Sequence, residues 1–460
     1  MREPGDILLI ACYELGHQPL AVAWPAAFLE MRGYAPAVMD VSVEPFDAGR
    51  ARRARVVAIS VPMHTALRLG TTVARRVREV NPGAHVCFFG LYATLNADYL
   101  LSHGADSVLG GELEHALVEL VQRLERDAGA GAAGSAGPDP APRLEKLTFP
   151  VPSRAALPGL KQYAHLERAG RHELVGYVEA SRGCKHQCHH CPIPPVYGGR
   201  FFVVPADVVL ADIRQLVSAG ARHVTFGDPD FLNGPRHALA VARALHRDFP
   251  GLTFDFTAKV EHLLRHRALL PELAALGALF LVSAVESLSD TVLASLAKGH
   301  TRDDVTAVLE AVRAAGIAFR PTWVPFTPWT TLSDYRELLA FVEDEDLIDH
   351  VDAVQYSIRL LVPPGSLLLD SPAMQPHLGP LVEDGFYYRW THPDPRVDRL
   401  QAAVGRMVAE AADRREDAAV TFARVRGLAD TAAGLPARPV SPLLAPGRDR
   451  PPRLTEPWFC

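Results

Sequence analysis

The chain has 460 residues, 48% of them hydrophobic and 22% charged, enough apolar surface for large cores spread over two or three domains. Its net charge of −6 gives no global pull toward nucleic acid. The most apolar stretch, Leu273 to Val285, is too short to span a bilayer, and the start, with Glu3, Asp6 and a Pro-Gly break, does not read as a signal peptide, so no membrane partner and a cytoplasmic location are expected.

Residues 1–125 alternate short buried strands with amphipathic helices. The strands are expected at Asp6–Ala11, Ala35–Asp40, Arg55–Val61, Ala84–Gly90 and Asp106–Gly110, with helical patterns such as Thr65 to Val80 between them. This pattern indicates a doubly wound, Rossmann-like parallel sheet. Its ligand crevice should lie beyond the carboxyl ends of the strands, around Tyr13–His17, Pro62–His64, Leu91–Tyr92 and Gly110–Glu112. No Gly-x-Gly-x-x-Gly fingerprint is present, which weighs against NAD or FAD.

With Ile59-Ser-Val-Pro-Met after the third strand and Gly111-Glu-Leu-Glu114 after the fifth, the order of elements resembles the cobalamin-binding domain that precedes many radical SAM domains. The resemblance makes cobalamin a candidate cofactor. Two departures count against it: residues 12–18 read Cys-Tyr-Glu-Leu-Gly-His-Gln where an Asp-x-His-x-x-Gly loop supplies a cobalt ligand in the mutases, and Gly90-Leu91 stands where a Gly-Gly pair is usual. His17 therefore reads as a loop residue, and a degenerate structural domain is the alternative.

A glycine-, alanine- and proline-rich linker is expected over 126–145. The segment after it leads into a second unit, 146–375, and is given only a bridging role. From Glu173 strands and helices alternate, with strands at Leu174–Ala180, His223–Gly227, Leu252–Lys259, Leu279–Glu286, Ala318–Phe326 and Ala353–Leu361. Six strand-helix units make a partial (β/α)6 barrel, whose chemistry should gather at the carboxyl ends of its strands.

The first of those ends carries Cys184, Cys188 and Cys191 in a Cys-x3-Cys-x2-Cys motif. Three thiolates can hold three irons of a four-iron cluster and leave the fourth open to an exogenous ligand. Zinc is the competing occupant, because His186, His189 and His190 lie among the cysteines, but no second cysteine pair exists to complete a structural site. On this motif the chain resembles the radical SAM superfamily, whose members cleave S-adenosylmethionine (SAM) reductively. The resemblance implies a [4Fe-4S] cluster, SAM, a small-molecule substrate and a one-electron reductant such as flavodoxin or ferredoxin.

It also implies roles for residues at the other strand ends. Asp228 and Asp230, in Phe226-Gly-Asp-Pro-Asp-Phe, occupy the position of the motif that grips the SAM amino group, and a carboxylate there suits an ammonium. Ser283 and Glu286 fall near the ribose and carboxylate region, Lys259 and Arg320 are the cations placed to meet a carboxylate, and Val362 belongs to a segment that would give backbone contacts to adenine. Lys298 and His300 are expected on a basic rim, and Pro321 to Thr330 as an aromatic substrate wall. Arg200 closes the cysteine loop and could tune the cluster or pair with a surface acid.

The tail, 376–460, should be one helix near Arg396 to Asp413 followed by proline-rich coil, packed over the barrel mouth. It ends Leu454-Thr-Glu-Pro-Trp-Phe-Cys460. From Gly176 to Gly365, and at this tail, the chain resembles the CUAEP/CCAEP-tail radical SAM family, which implies that Cys460 is the first of a Cys-Sec or Cys-Cys pair, with reading continuing through a UGA codon. Vicinal thiolate and selenolate suit thiophilic elements. By similarity to radical SAM enzymes of arsinothricin synthesis, the expected reaction is transfer of the 3-amino-3-carboxypropyl group of SAM to an element such as As(III) held by the tail. Cobalamin-dependent radical methylation is the alternative enzyme, and a cluster- or zinc-bound binding protein the alternative outside catalysis.

Overall fold

Five apolar segments in the first 110 residues have no polar face to turn to water, so each belongs inside a sheet covered on both sides. In the computed structural model, which describes residues 1–130, 141–436 and 447–456, they form β1 (Ile7–Ala11), β2 (Ala37–Asp40), β3 (Val56–Ser60), β4 (His85–Phe89) and β5 (Ser107–Leu109). All pair in parallel, in the order β2-β1-β3-β4-β5. Alternate residues serve the two faces. Leu9, Ala58 and Phe89 pack under the helices Leu20–Glu30 and Glu114–Ala130, and Leu8, Ile59 and Phe88 under His64–Val80.

Half of the expected linker, residues 131–140, lies outside the described residues. At its near end the helix runs on to Ala130, and at its far end Arg143 forms a bridge with Gly111 just after β5. Gly111 has φ +72°, and a Cβ there would meet the Arg143 carbonyl oxygen at 2.0 Å, so only glycine fits. The segment that follows joins two cores. Its Leu147, Phe149, Leu157 and Leu160 lie in one buried cluster that reaches from the helices of the first sheet to those of the second. Its Arg154 donates to Asp212 at 2.6 and 2.8 Å and to Gln18 at 2.7 Å, tying the loop after β1 to a barrel helix.

The second unit opens with the antiparallel pair β6 (His165–Arg168) and β7 (Arg171–Val178), then a small ribbon, β8 (Ser181–Gly183) and β9 (Phe201–Val203). β10 (His223–Phe226), β11 (Thr253–Thr257), β12 (Ala278–Glu286) and β13 (Ala318–Trp323) continue from β7 as parallel neighbours. The sixth strand expected at 353–361 does not form. Ala353–Tyr356 is a 3-10 turn, and only the bridge of Phe326 with Arg359 joins this stretch to the sheet. The Gln355 side chain accepts the Trp323 amide at 3.0 Å and so replaces the missing ladder bond.

The tail differs from one helix and coil. A hairpin of β14 (Leu378–Val382) and β15 (Tyr387–Trp390) precedes two helices, Pro395–Asp413 and Ala418–Ala432, which pack on each other and beside the helix Leu332–Asp344. Its last described element, β16 (Arg453–Leu454), pairs antiparallel with β6 and hence runs parallel to β7, toward the carboxyl ends of the barrel strands. The sheet order is β13-β12-β11-β10-β7-β6-β16, an open half-barrel. Among the described residues no helix is long and apolar enough to cross a membrane.

Candidate active site

The ribbon β8–β9 brackets the loop that carries the three cysteines. Gly183 makes the turn into it, with φ +75° and so little space that a Cβ would meet the Arg200 carbonyl oxygen at 2.5 Å. Cys184 and Cys188 are buried, Cys191 partly so, and all three are free thiols. The Cys191 amide donates to the Cys188 carbonyl at 3.2 Å, and the His189 amide to that of Leu296 at 3.0 Å, which pins the loop to the barrel. Burial pushes the Cys191 thiol up to about 12 and raises that of Cys184, and each thiolate disfavours its neighbours. Thiols packed this closely ionise together only around bound cations.

Strand ends surround this loop. After β10, Asp228 accepts the Ala180 amide at 2.9 Å and the Ser181 hydroxyl at 2.5 Å, and burial pushes its carboxyl up to about 7. Asp230 instead caps the next turn through the Leu232 amide at 3.0 Å and faces His262 Nδ1 at 2.7 Å. The two acids thus separate: Asp228 lines the barrel lumen, while Asp230 is turned to the helix Val260–Arg265. Lys259, which leads into that helix, has Glu261 at 3.8 Å.

After β12, Glu286 sits at φ +68°, where a side chain is disfavoured. Its carboxylate lies 3.1 Å from His190 Nε2 and 3.3 Å from Lys298 Nζ. Burial works to raise it, but Lys298 and His190 hold it down at about 2. Burial and the Lys298 charge push His300 down to about 4, and its Nε2 is 3.2 Å from the Val285 carbonyl. His300 Nδ1 and Ser283 Oγ are buried without a hydrogen-bond partner.

Deeper in the lumen, a cavity of about 230 Å³, Arg320 donates to Asp352 at 3.1 Å and keeps Nη1 buried and unpartnered. The open side is closed by His17, stacked on Tyr177 at 4.5 Å and 2.8 Å from Glu456. Val362 is buried, with its carbonyl taken by the Tyr388 amide at 2.8 Å. Within 321–330 the aromatics Trp323 and Phe326 are fully buried core, packed on Phe341 and Tyr335, while Pro321 and Thr322 line the lumen. Arg200 is exposed, and Cys460 lies outside the described residues.

The sequence reading missed a second charged cluster, between the carboxyl ends of the first sheet and the cysteine loop. Arg182 reaches Glu114 at 2.6 Å, Glu179 at 3.1 Å and Glu112 at 3.5 Å, and its guanidinium lies 5.0 Å from the Phe149 ring. Tyr197 donates to Glu112 at 2.9 Å, and burial raises the Glu112 carboxyl. The cavity here holds about 210 Å³, and two of its lining residues, Ser60 and Trp24, have buried polar atoms with no partner. Glu-Leu-Glu beside a glycine pair, with an arginine in the cysteine motif, was the one available signal.

Residues 7–121 match the family model of the B12 binding domain, and residues 178–338 that of the radical SAM superfamily. The chain carries a B12-binding domain followed by a radical SAM domain. It is an enzyme, which sets aside the non-catalytic alternative. Among curated proteins, the tRNA-2-methylthio-N(6)-dimethylallyladenosine synthase of Bordetella petrii is 24% identical over 316 residues, 65% of this chain and 60% of that protein. The hopanoid C-3 methylase of Methylococcus capsulatus is 24% identical over 324 residues, 68% of this chain and 62% of that protein. The chain therefore spans less than two thirds of the length of these relatives.

Two solved structures share the fold. The cobalamin-dependent SAM radical enzyme OxsB, with aqua-cobalamin and SAM bound, superposes with a TM-score of 0.68 at 13% identity, covering 88% of this chain and 67% of that one. The radical SAM methyltransferase TsrM of Kitasatospora setae, with cobalamin and a [4Fe-4S] cluster, gives 0.59 at 16% identity, covering 74% and 73%.

A radical SAM domain brings a [4Fe-4S] cluster and SAM as its cofactors, and the donor set fits: three free thiols on one pinned loop, with no disulfide among the described cysteines. The cobalamin side fits less well. His17 is committed to Tyr177 and Glu456, so it is not free to ligate cobalt from the β1 loop. At about 210 Å³ the cavity between the domains is smaller than the roughly 300–1,000 Å³ that holds a drug-sized ligand, so a corrin enters only if the domains part around Trp24 and Tyr197.

Proposed function

We propose that this enzyme cleaves SAM reductively at the mouth of the half-barrel and directs the resulting radical onto a small-molecule substrate held in the lumen. The observation that carries the reading is the position of three free thiols at the carboxyl end of β7, beside a lumen that holds Asp228 and Arg320 and is closed by both domains. When bound, the cluster supplies the electron that breaks one S–C bond of SAM, delivered in turn by an external donor such as flavodoxin or ferredoxin.

The residues of the chain bind and orient. Asp228, in the turn after β10, accepts the SAM ammonium, Lys259 meets its carboxylate, Ser283 and Glu286 face the ribose, and the backbone at Val362 borders adenine. Lys298 keeps Glu286 charged and fixed. Because the Val285 carbonyl takes Nε2–H of a neutral His300, its Nδ1 carries a lone pair, and this nitrogen accepts a proton from the substrate. Arg320, with Nη1 free, holds an oxygen of the substrate. His17, Tyr177 and Glu456 keep water out of the lumen.

For the substrate itself, we favour a thiophilic element such as As(III), carried by Cys460 and receiving the 3-amino-3-carboxypropyl group. The course of β16 supports this. The chain passes Glu456 heading for the strand ends, and Cys460 is four residues on, a reach of up to about 14 Å. A second reading, cobalamin-dependent methylation, is favoured by the B12-binding match over 7–121. Cobalt counted per purified chain separates the two.

The test is anaerobic reconstitution, reduction with dithionite and chromatography of the nucleosides formed from SAM. Methylthioadenosine, with an arsenic adduct formed from arsenite only while Cys460 is intact, agrees with aminocarboxypropyl transfer. 5′-Deoxyadenosine supports SAM cleavage but removes that transfer, and neither nucleoside removes the whole proposal.

A further inference from the structure

A group of side chains beside the cysteine loop is not used by the mechanism above. His186 lies between Cys184 and Cys188, and its ring meets that of His262, whose helix follows β11; the two Nε2 atoms are 3.2 Å apart. Each ring has a carboxylate behind it. Asp230 Oδ2 is 2.7 Å from His262 Nδ1, and Glu261 Oε2 is 3.5 Å from His186 Nδ1. Asp230 and His262 are 0% and 5% exposed, so water does not dissolve the arrangement.

A carboxylate only accepts, so Asp230 places the His262 proton on Nδ1 and leaves a lone pair on Nε2. Glu261 Oε2, 3.5 Å from His186 Nδ1, makes no hydrogen bond there, so His186 is free to carry its proton on Nε2 and donate it to His262. The two Nε2 atoms share that one proton at 3.2 Å, and a divalent cation that displaces it meets a lone pair from each ring. A carboxylate behind each imidazole is also how metal-binding histidines are commonly oriented. Two nitrogens at 2.0–2.1 Å from a tetrahedral zinc stand about 3.3 Å apart, close to the distance here. One ligand atom from each of His186, Asp230 and His262 falls within 4.8 Å of the other two.

We infer that His186 and His262 bind a divalent cation of the zinc class through their Nε2 atoms, next to the cysteine triad and separate from it. Asp230 and Glu261 act as positioning residues behind the two imidazoles. The remaining coordination positions are open to water or to a substrate oxygen, which places a Lewis acid at the edge of the barrel mouth. The inference does not depend on which bond of SAM breaks.

The experiment uses full-length protein reconstituted anaerobically with iron and sulfide, given one equivalent of Zn²⁺ and desalted. Elemental analysis should find about one zinc beside an unchanged iron content, and zinc-edge X-ray absorption should show only nitrogen and oxygen neighbours, near 2.0–2.1 Å. His262→Asn should lose the zinc and keep the iron. Glu261→Gln, on a partly exposed residue, should weaken zinc about 10–100-fold in chelator competition. The inference is overturned if wild-type protein retains no zinc, if His262→Asn retains as much, or if sulfur neighbours near 2.3 Å place the ion in the cysteine triad. The absorption spectrum needs only the wild type, so it decides even if a variant fails to fold.

Discussion

Glu286 concentrates the physics of the site in one residue. It holds a strained backbone angle and a buried charge at once, and both are tolerated because Lys298 and His190 converge on its carboxylate. Its acidity is depressed to about 2, so the stability it contributes is complete above the unfolded carboxylate value and is lost as pH falls from about 4.5 toward 2. Glu286→Gln leaves the Lys298 charge buried without a counter-ion, at a cost of about 3–5 kcal/mol. Denaturant titration should show that loss at pH 7 and a much smaller one at pH 2. Equal losses at both values would mean that the charge is not what matters. The sequence made Ser283 and Glu286 candidates through family resemblance, and Lys298 and His300 through the basic stretch they form. It did not pair them, because His190 reaches Glu286 from a different loop.

At the scale of elements, hydrophobic periodicity made ten of the strands legible. Every strand of the first sheet falls within two residues of its expected bounds, because segments apolar on both faces have few other places to go. The sixth barrel strand was misread for an equally physical reason: a glutamine side chain does the bonding that a backbone would, and residue types alone do not reveal it. The helix Ala418–Ala432 was missed inside a stretch read as coil. β16 is only two residues long, too short to carry a period, yet it ties the tail to the barrel. Arg453 bonds Glu167 at 2.8 Å and approaches Asp352 at 3.6 Å. Arg453→Glu should therefore lower Tm and expose residues 447–456 to limited proteolysis, with iron content unchanged. A Tm and digestion pattern equal to the wild type would show that β16 docks without this contact.

For the whole molecule, the seam between the domains and the lumen beside it hold carboxyl groups that burial keeps protonated. Glu14, which accepts the Leu20 and Ala21 amides at the start of the first helix, is pushed up to about 8 by burial and by the Glu179 charge, and Asp228 to about 7 by burial. Groups raised in this way stabilise the fold fully below their unfolded values near 4 and lose that contribution as pH rises through 7 to 8. Tm should fall between pH 5 and 8.5, and Glu14→Gln should flatten the fall, as read by calorimetry across that range. A profile that rises with pH, or that the variant leaves as steep, would contradict this reading of the seam. The sequence pointed to the stretches Tyr13–His17 and Gly110–Glu112 but not to the pairings across the seam, since Arg154 meets Gln18 and Arg182 meets Glu114 across more than one element.

The claim beneath all of this is that Cys184, Cys188 and Cys191 hold a four-iron cluster with one iron left for SAM. Anaerobic reconstitution with iron and sulfide, followed by iron and sulfide analysis and visible absorption near 400 nm, tests it most directly. Four irons and four sulfides per chain are expected, with the brown chromophore lost when any one of the three is made alanine. Iron-free, colourless wild-type protein, or a chromophore that survives those substitutions unchanged, would contradict it.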